Sequence, residues 1–361
     1  MNTPPDIPLY VDLDGTLIFT DCLHESFLDL IRQNPFALFQ VLLWLLKGGR
    51  AYMKARIAER AELDVSTLPY NKPLIAWLHA EKQRGRELIL ATASHEKYAQ
   101  SIALHLDLFD RVLATSSTLN LKGANKARKL VEESSAGGYD YAGDSRADLK
   151  VWNTAHAAVV VSDSDAFTDS VASTTTVDRR FAAPQRHFVL AALRPHQWLK
   201  NVLLFVPLLT SQHLFDPGFL LDAFIAFVAC SLCASSVYIV NDLLDLEADR
   251  QHPRKQHRPY ASGQGSIIGA IGTLVMLLPL AFLVAAWVGA GFLKWLTLYF
   301  LLTLAYSLYL KRVKMLDIVL LASLYTLRIV AGAAAISVPL SSWLLAFSMF
   351  FFLSLSLVKR Y

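Results

Sequence analysis

Carboxylates gather in two places where their spacing suits chemistry. The first is Asn241-Asp242-Leu243-Leu244-Asp245-Leu246-Glu247-Ala248-Asp249-Arg250, at the end of a long apolar run. On a helix Asp242, Asp245 and Asp249 stand at i, i+3 and i+7, and Asn241, Asp245 and Asp249 at i, i+4 and i+8, so all four side chains share one face. Like charges that close repel and call for a cation. An all-oxygen set with a carboxamide suits Mg²⁺, a hard ion that keeps part of its water and shares itself with a substrate's phosphates. The plainer alternative is a solvated acidic helix end, but ionisable residues abutting a membrane span are functional as a rule. The second place is Asp12 and Asp14, which with Gly15 break a strand-length apolar run from Ile7 to Leu13. This reads as a buried parallel strand with acids at its carboxyl end, where open α/β sheets put their active sites.

The elements that must hold these groups belong to two classes of protein. A chain of 361 residues is too long for one core. Up to about Pro184 charged and apolar residues mix in soluble proportions; from about Leu199 apolar runs near the ~20 residues that span a bilayer follow one another. The expected domains are therefore 1–184 and 185–361, with Ser162 to Ala183 leading from one to the other. Leu193 to Asn201 should lie along the membrane face and enter a first span ending near Ser211. Later spans are expected near 220–240, 267–288, 292–310, 316–336 and 342–358, about six in all. Arg250, Arg254, Lys255 and Arg258 fall on one side with Lys311, Arg312, Lys314, Lys359 and Arg360, against little more than Lys294 on the other. The positive-inside rule puts the 241–250 segment in the cytoplasm, and the multi-span chain is expected to be integral to the inner (plasma) membrane. Met1 to Pro8 is short, polar and proline-rich, not a secretory signal, so the first domain is expected in the cytoplasm too. A net charge of +4 is too small to argue for nucleic acid. Of three cysteines, Cys230 and Cys233 form a C-x-x-C inside a span with no second ligand pair, which favours helix packing over zinc.

Asp12-Leu13-Asp14-Gly15-Thr16-Leu17 resembles the D-x-D-G-T motif of the haloacid dehalogenase superfamily, and the family's other motifs follow in order. Thr92 ends the run Glu87 to Ala91, Lys126 opens a helical stretch, and Gly143-Asp144-Ser145-Arg146-Ala147-Asp148 matches G-D-x-x-x-D. The resemblance covers about residues 7 to 165 and implies a Rossmann-like α/β domain with a helical cap inserted at about 18–85. It implies Asp12 as nucleophile, Asp14 as general acid and base, and Asp12, Asp144 and Asp148 around Mg²⁺. Thr92 and Lys126 would bind the remaining phosphoryl oxygens, with Ser94 and Lys122 as alternatives to them. Asp148 and Thr92 could instead be structural caps. Within the insertion Phe36 to Leu46 is almost wholly apolar and is followed by Lys47, Arg50, Lys54 and Arg56. It is too short to cross the ~30 Å hydrocarbon core, which leaves a buried cap helix or a helix dipping into the membrane interface.

N-D-x-x-D-x-x-x-D after a hydrophobic helix, with the basic segment ending Arg258-Pro259-Tyr260-Ala261-Ser262-Gly263, resembles the first aspartate motif of the UbiA superfamily of membrane prenyltransferases. The resemblance implies an all-α, multi-span membrane domain that holds a diphosphate through Mg²⁺ at Asn241, Asp242, Asp245 and Asp249. Lys200, Arg254, Lys255 and Arg258 are candidates for phosphate oxygens the metal leaves exposed, or simple topology signals. Leu193-Arg194-Pro195-His196-Gln197-Trp198-Leu199-Lys200-Asn201 most resembles the branch that moves a phosphoribosyl group from phosphoribosyl diphosphate to a polyprenyl phosphate. Tyr306 to Lys311 departs from the superfamily's Y-x-x-x-K, so its tyrosine does not carry over. Asp317 and Arg328, inside an expected span, should line the cavity. A second aspartate motif should begin where the chain stops, at Lys359-Arg360-Tyr361, and this points to a longer protein. The joint expectation is a phosphoribosyltransferase fused to a Mg²⁺-dependent phosphatase that removes the product's 5-phosphate. Its rivals are an aromatic prenyltransferase using a prenyl diphosphate, and a membrane-anchored phosphatase whose membrane half only binds lipid.

Overall fold

Short runs of β-branched and aromatic residues, apolar on both faces, make the centre of the first half of the chain. Leu9–Val11 (β1) is buried throughout, as the middle strand of a parallel sheet must be. In the computed structural model, which describes residues 7–115, 121–134, 138–184, 189–211, 213–310, 313 and 315–358, the chain forms two compact units. One comprises Met1–Arg186 with Leu244–Ile267, the other His187–Leu243 with Ile268–Tyr361.

In the first unit β1 is followed by Cys22–Gln33 (α1), Ala37–Arg60 (α2), Lys72–Gln83 (α3), Leu88–His95 (β2), Glu96–Leu106 (α4) and Arg111–Thr115 (β3). Then come Ala124–Glu133 (α5), Asp140–Gly143 (β4), Leu149–Trp152 (α6), Ala157–Val161 (β5), Asp165–Ala172 (α7) and Thr176–Phe181 (β6). The sheet is wholly parallel in the order β3-β2-β1-β4-β5-β6. Alternate residues feed opposite faces. Leu9, Val11, Leu88, Leu90, Val159 and Val161 pack with Leu74, Leu78 and Ile102 on one side; Tyr10, Ile89, Tyr141, Ala158 and Val160 pack with Leu130, Trp152 and Val171 on the other. Beneath β1 the buried Arg86 guanidinium binds the Ile7 carbonyl, Glu81 and Asp140. Strand order reverses at β1, so the crevice beyond the carboxyl ends of β1, β2 and β4 is where this topology puts ligands.

Leu74 and Leu78 of α3 belong to the sheet's core. Within the expected insertion of 18–85, Cys22 and Ala58 also join that core, while α1 and α2 close on each other through Leu30, Ala37, Val41, Ile57 and Ala61. Gly49, at φ 69 and ψ −167, breaks α2 into two arms with a conformation open to glycine. Leu244–Ile267 also packs in this unit. Arg250 donates to both carboxylate oxygens of the buried Glu25 at 2.6 and 3.2 Å, and Arg32 donates to Glu247.

The second unit begins with Val189–Leu193 (α8), a 3₁₀ stretch Pro195–Phe205 and Val206–Thr210 (α9). The expected first span toward Ser211 is thus not a long helix. Pro195 and Pro207 lack the N–H a helix interior uses, and Gln197, Lys200 and Asn201 break the apolar run. Pro217–Leu244 (α10) follows and, after the short Leu246–Gln251 (α11) in the first unit, Ile267–Val288 (α12), Ala290–Leu308 (α13), Leu316–Ala335 (α14) and Ser342–Val358 (α15). Among the described residues four helices, α10, α12, α13 and α14, are long and apolar enough to cross a membrane. At 28 residues α10 is about 42 Å long, beyond the ~30 Å core. Small residues on α10, including Ala226, Ala229, Cys230 and Cys233, share a core with Leu324, Leu327 and Ala331 of α14. Both cysteines are free and buried, as the packing reading requires. A Cβ at Gly332 would run into the Leu204 backbone, so this glycine permits close packing.

Candidate active site

Asp12 lies just beyond β1, in the turn that Gly15 makes possible. Gly15 sits at φ +82, and a Cβ there would collide with the Asp144 carboxylate, so glycine is what lets the first motif meet the end of β4. Asp12, Asp144 and Asp148 each offer an oxygen, and these atoms lie within 4.8 Å of one another. The carboxylate set fits a hard divalent cation.

Lys126, the third residue of α5, is buried and pairs with Asp12 at 3.0 Å, whereas Lys122 is exposed; of the two lysines Lys126 is the one at the cluster. Its ammonium also donates to the Tyr141 hydroxyl at 2.8 Å, which in turn donates to Asp148 Oδ1 at 2.9 Å. The other Asp148 oxygen accepts from the Ser145 backbone and hydroxyl. Asp14 Oδ1 accepts from the Cys22 amide at 2.9 Å and Oδ2 from the Ser94 hydroxyl at 2.5 Å. Thr92 is wholly buried, and its Oγ1 accepts from the Ser94 amide. Thr92 supports the strand end while Ser94 carries the hydroxyl that meets Asp14. Thr16 donates to Asp144 at 3.3 Å.

Burial dominates the electrostatics. It drives the Asp12 carboxyl from an ordinary 3.8 up to about 6, with the Lys126 ammonium opposing and the Asp148 charge adding to the rise. It drives Asp14 up to about 7, helped by Asp21 and opposed by the Ser94 and Cys22 hydrogen bonds. Burial, then the charges of Asp12 and Asp148, hold the Tyr141 hydroxyl firmly protonated. A carboxyl that titrates near neutrality beside an anionic neighbour is the pairing that acid and base chemistry uses. Tyr141 escapes the sequence reading because a tyrosine within a buried strand looks like core, and Ser94 appears there only as an alternative.

The 241–250 segment is built differently. The expected continuous helix stops: α10 ends at Leu244, and Asp245, at φ −96 and ψ 13, stands at the boundary before α11. Aspartate favours helix boundaries over interiors. In the second unit Asp242, buried near the end of α10, accepts from Arg194 at 2.5 Å, and the Arg194 guanidinium lies 5.5 Å from the centre of the Tyr238 ring. In the first unit the buried Asp249 accepts from Arg258 at 2.5 Å and pairs with Lys255 at 3.6 Å. Asn241 is half-buried on α10, as is Lys200 in the 3₁₀ stretch. Arg194 lies in the segment 193–201 that carries the branch resemblance, and its pairing with Asp242, far along the chain, leaves no local pattern in the sequence. Arg328 is buried and donates to Asn201 and Tyr299, and Asp317 is buried at the start of α14. Lys311, Arg312, Lys314, Lys359 and Arg360, on which part of the charge asymmetry rests, lie outside the described residues, as does the carboxyl end of the Tyr306 to Lys311 segment.

The model of the haloacid dehalogenase-like hydrolase family matches residues 9–152, and that of the UbiA prenyltransferase family matches residues 202–360. The uncharacterized protein y4nM of Sinorhizobium fredii is 38% identical over 98% of this chain and 69% of its own length. Decaprenyl-phosphate phosphoribosyltransferase of Corynebacterium glutamicum is 35% identical over 57% of this chain and 64% of its own length. This chain thus covers about two thirds of the length of each. A UbiA homolog from Archaeoglobus fulgidus, solved bound to DMAPP and Mg²⁺, aligns at 19% identity and a TM-score of 0.41 over 46% of this chain and 60% of that one. The chain belongs to the same family as y4nM, and in it a domain of the haloacid dehalogenase-like hydrolase family precedes one of the UbiA prenyltransferase family, both of them enzyme families.

Proposed function

We propose that the membrane half transfers a phosphoribosyl group from phosphoribosyl diphosphate to a polyprenyl phosphate, and that the first half removes the 5-phosphate the product retains. The observation that carries the phosphatase half is the meeting of Asp12, Asp144 and Asp148 within 4.8 Å, with Lys126 at 3.0 Å and the Asp14–Ser94 pair beside them. The Asp12 carboxylate attacks phosphorus and the bond to the sugar oxygen breaks. Asp14, protonated, gives its proton to the leaving alkoxide. Water then attacks the aspartyl phosphate, Asp14 takes the proton from it, and phosphate leaves with Asp12 restored. Lys126 holds a phosphoryl oxygen, and Tyr141 keeps that ammonium in place. Mg²⁺ held by Asp12, Asp144 and Asp148 would neutralise charge on the transferring group.

For the transferase half, the 193–201 segment and the Corynebacterium relative favour a phosphoribosyl donor. By the sequence resemblance, Asn241, Asp242, Asp245 and Asp249 would hold Mg²⁺, which would neutralise charge on the diphosphate, and Arg194, Lys200, Lys255 and Arg258 would meet its oxygens. The segment 250–258 is rich in arginine and lysine, which supports placing it, and the first domain, in the cytoplasm, where soluble phosphoribosyl diphosphate is found. Tethering raises the concentration of one site's product at the other. Incubating membranes that carry the protein with labelled phosphoribosyl diphosphate and polyprenyl phosphate tests the reading. Label moving into lipid supports it; label moving only from a prenyl diphosphate to an aromatic acceptor replaces it with the prenyltransferase reading.

A further inference from the structure

From Ala37 to Leu46 the first arm of α2 carries a single polar side chain, Gln40, which accepts from Arg60 at 2.7 Å. Ala37, Val41 and Trp44, at i, i+4 and i+7, turn inward onto α1 and the second arm. Outward point Phe36, Leu38, Phe39, Leu42, Leu43, Leu45 and Leu46, with Phe36 73%, Phe39 65% and Leu46 75% exposed. A buried cap helix is thereby ruled out. Seven large apolar side chains on consecutive turns form a patch of a kind soluble surfaces rarely leave uncovered. The helix cannot cross a bilayer: Ala37–Gly49 is about 20 Å long against a ~30 Å core.

Charge identifies the occupant. From Asn34 to Arg60 the chain carries Lys47, Arg50, Lys54, Arg56 and Arg60 against the single acid Glu59, and all the basic residues follow the apolar arm. Lys47 is exposed at the arm's end, and the Arg60 guanidinium packs 4.7 Å from the centre of the Trp44 ring. An apolar arm joined at a Gly49 bend to a basic arm is the pattern of an element that sinks its hydrocarbon face just below lipid headgroups and pairs its cations with their phosphates. A bilayer is at hand, because the same chain carries four span-long helices.

We infer that residues 36–47 form a membrane-interface anchor of the hydrolase domain, occupied by anionic bilayer lipid. The consequence for substrate rests on the phosphatase reading: the anchor holds the Asp12 site against the membrane surface, so the preferred substrate is a lipid-linked phosphomonoester rather than a free sugar phosphate.

The test uses the full chain in nanodiscs of phosphatidylcholine and phosphatidylglycerol. The three native cysteines are buried, so one introduced cysteine can carry an environment-sensitive fluorophore: Leu43→Cys on the anchor, or Leu104→Cys, an exposed leucine on α4, as control. The expected result is blue-shifted emission at 43, quenched by lipids spin-labelled near the headgroup, with water-like emission at 104. Water-like emission at 43 overturns the anchor. Blue-shifted emission that lipid does not quench also overturns it and points to a second copy on this face. The double variant Phe39→Glu, Leu46→Glu should lower turnover of a lipid-linked phosphomonoester about tenfold or more while leaving hydrolysis of a soluble aryl phosphate unchanged. Equal loss on both overturns the substrate preference. Absence of any phosphatase activity in the wild type would remove the phosphatase reading, while the fluorescence result on the anchor would stand.

Discussion

The two acidic regions of this molecule solve the same electrostatic problem in opposite ways. At the end of β1 carboxylates converge: Asp12, Asp144 and Asp148 crowd within 4.8 Å and share one buried cation, Lys126, at 3.0 Å from Asp12. In the 241–250 segment each buried carboxylate has its own cationic partner, Arg194 for Asp242, and Arg258 with Lys255 for Asp249. Among the described residues the β1 cluster is the one acidic group close enough to hold a metal. The comparison teaches that a converging set is prepared for a metal and a small phosphoryl group. The individually paired aspartates are already neutralised by guanidinium and ammonium groups, and on the proposed function those same cations would turn to the oxygens of a diphosphate.

The comparison breaks most sharply at Asp12. Asp12→Asn keeps the volume and removes the attacking charge, so hydrolysis of a small phosphomonoester should fall at least about 10³-fold, with transfer of label from phosphoribosyl diphosphate into lipid intact. Turnover by the variant at the wild-type rate removes Asp12 from the mechanism. Asp242→Asn acts on the other region alone: loss of a charge-assisted contact is worth on the order of 1.5 to 3 kcal/mol. Mg²⁺-dependent binding of phosphoribosyl diphosphate by the full chain should weaken by roughly 10- to 100-fold, with phosphatase activity on a soluble substrate unchanged; a parallel loss of both would mean the regions are not separate.

A smaller effect is expected from Tyr141→Phe, which deletes the hydroxyl between Lys126 and Asp148. One hydrogen bond of about 1 kcal/mol predicts a several-fold drop in phosphatase kcat, and an unchanged kcat would show that Lys126 needs no support. The smallest is a stability effect. Asp14 titrates at about 7 in the fold against 3.8 unfolded. The folded state therefore holds the extra proton between these values, and its stability falls as pH rises through that window. Without Mg²⁺, Asp14→Asn should match the wild type near pH 4 and exceed it in thermal midpoint above pH 7. A midpoint lower than the wild type's above pH 7 would contradict the raised value.

Much of the β1 region was legible because its chemistry is punctuated. Asp12, Lys126, Asp144 and Asp148 each sit where an apolar strand run stops or a helix starts, and a parallel sheet brings such ends together. Tyr141 was hidden because its ring is core and only its hydroxyl is functional. The choice of Lys126 over Lys122 needed the helix start at Ala124. In the 241–250 segment the periodicity suggested one continuous face, and nothing local announced the break at Asp245. Pairings such as Arg250 with Glu25, 225 residues apart, leave no local pattern at all. The apolar arm of α2 was ambiguous for a physical reason: a helix with a single polar side chain reads alike whether protein or lipid surrounds it, and its exposure came only with the fold.

The central claim, two chemistries acting in sequence on one lipid, has a direct measurement. Membranes carrying the full chain receive polyprenyl phosphate and phosphoribosyl diphosphate labelled with one isotope in the ribose carbons and another in the 5-phosphate. The lipid fraction is then counted for both. With the wild type, ribose label should enter lipid while 5-phosphate label appears as free phosphate; with Asp12→Asn, both labels should stay in lipid at equal ratio. No ribose label in lipid, or the same ratio of labels in wild type and variant, would contradict the account.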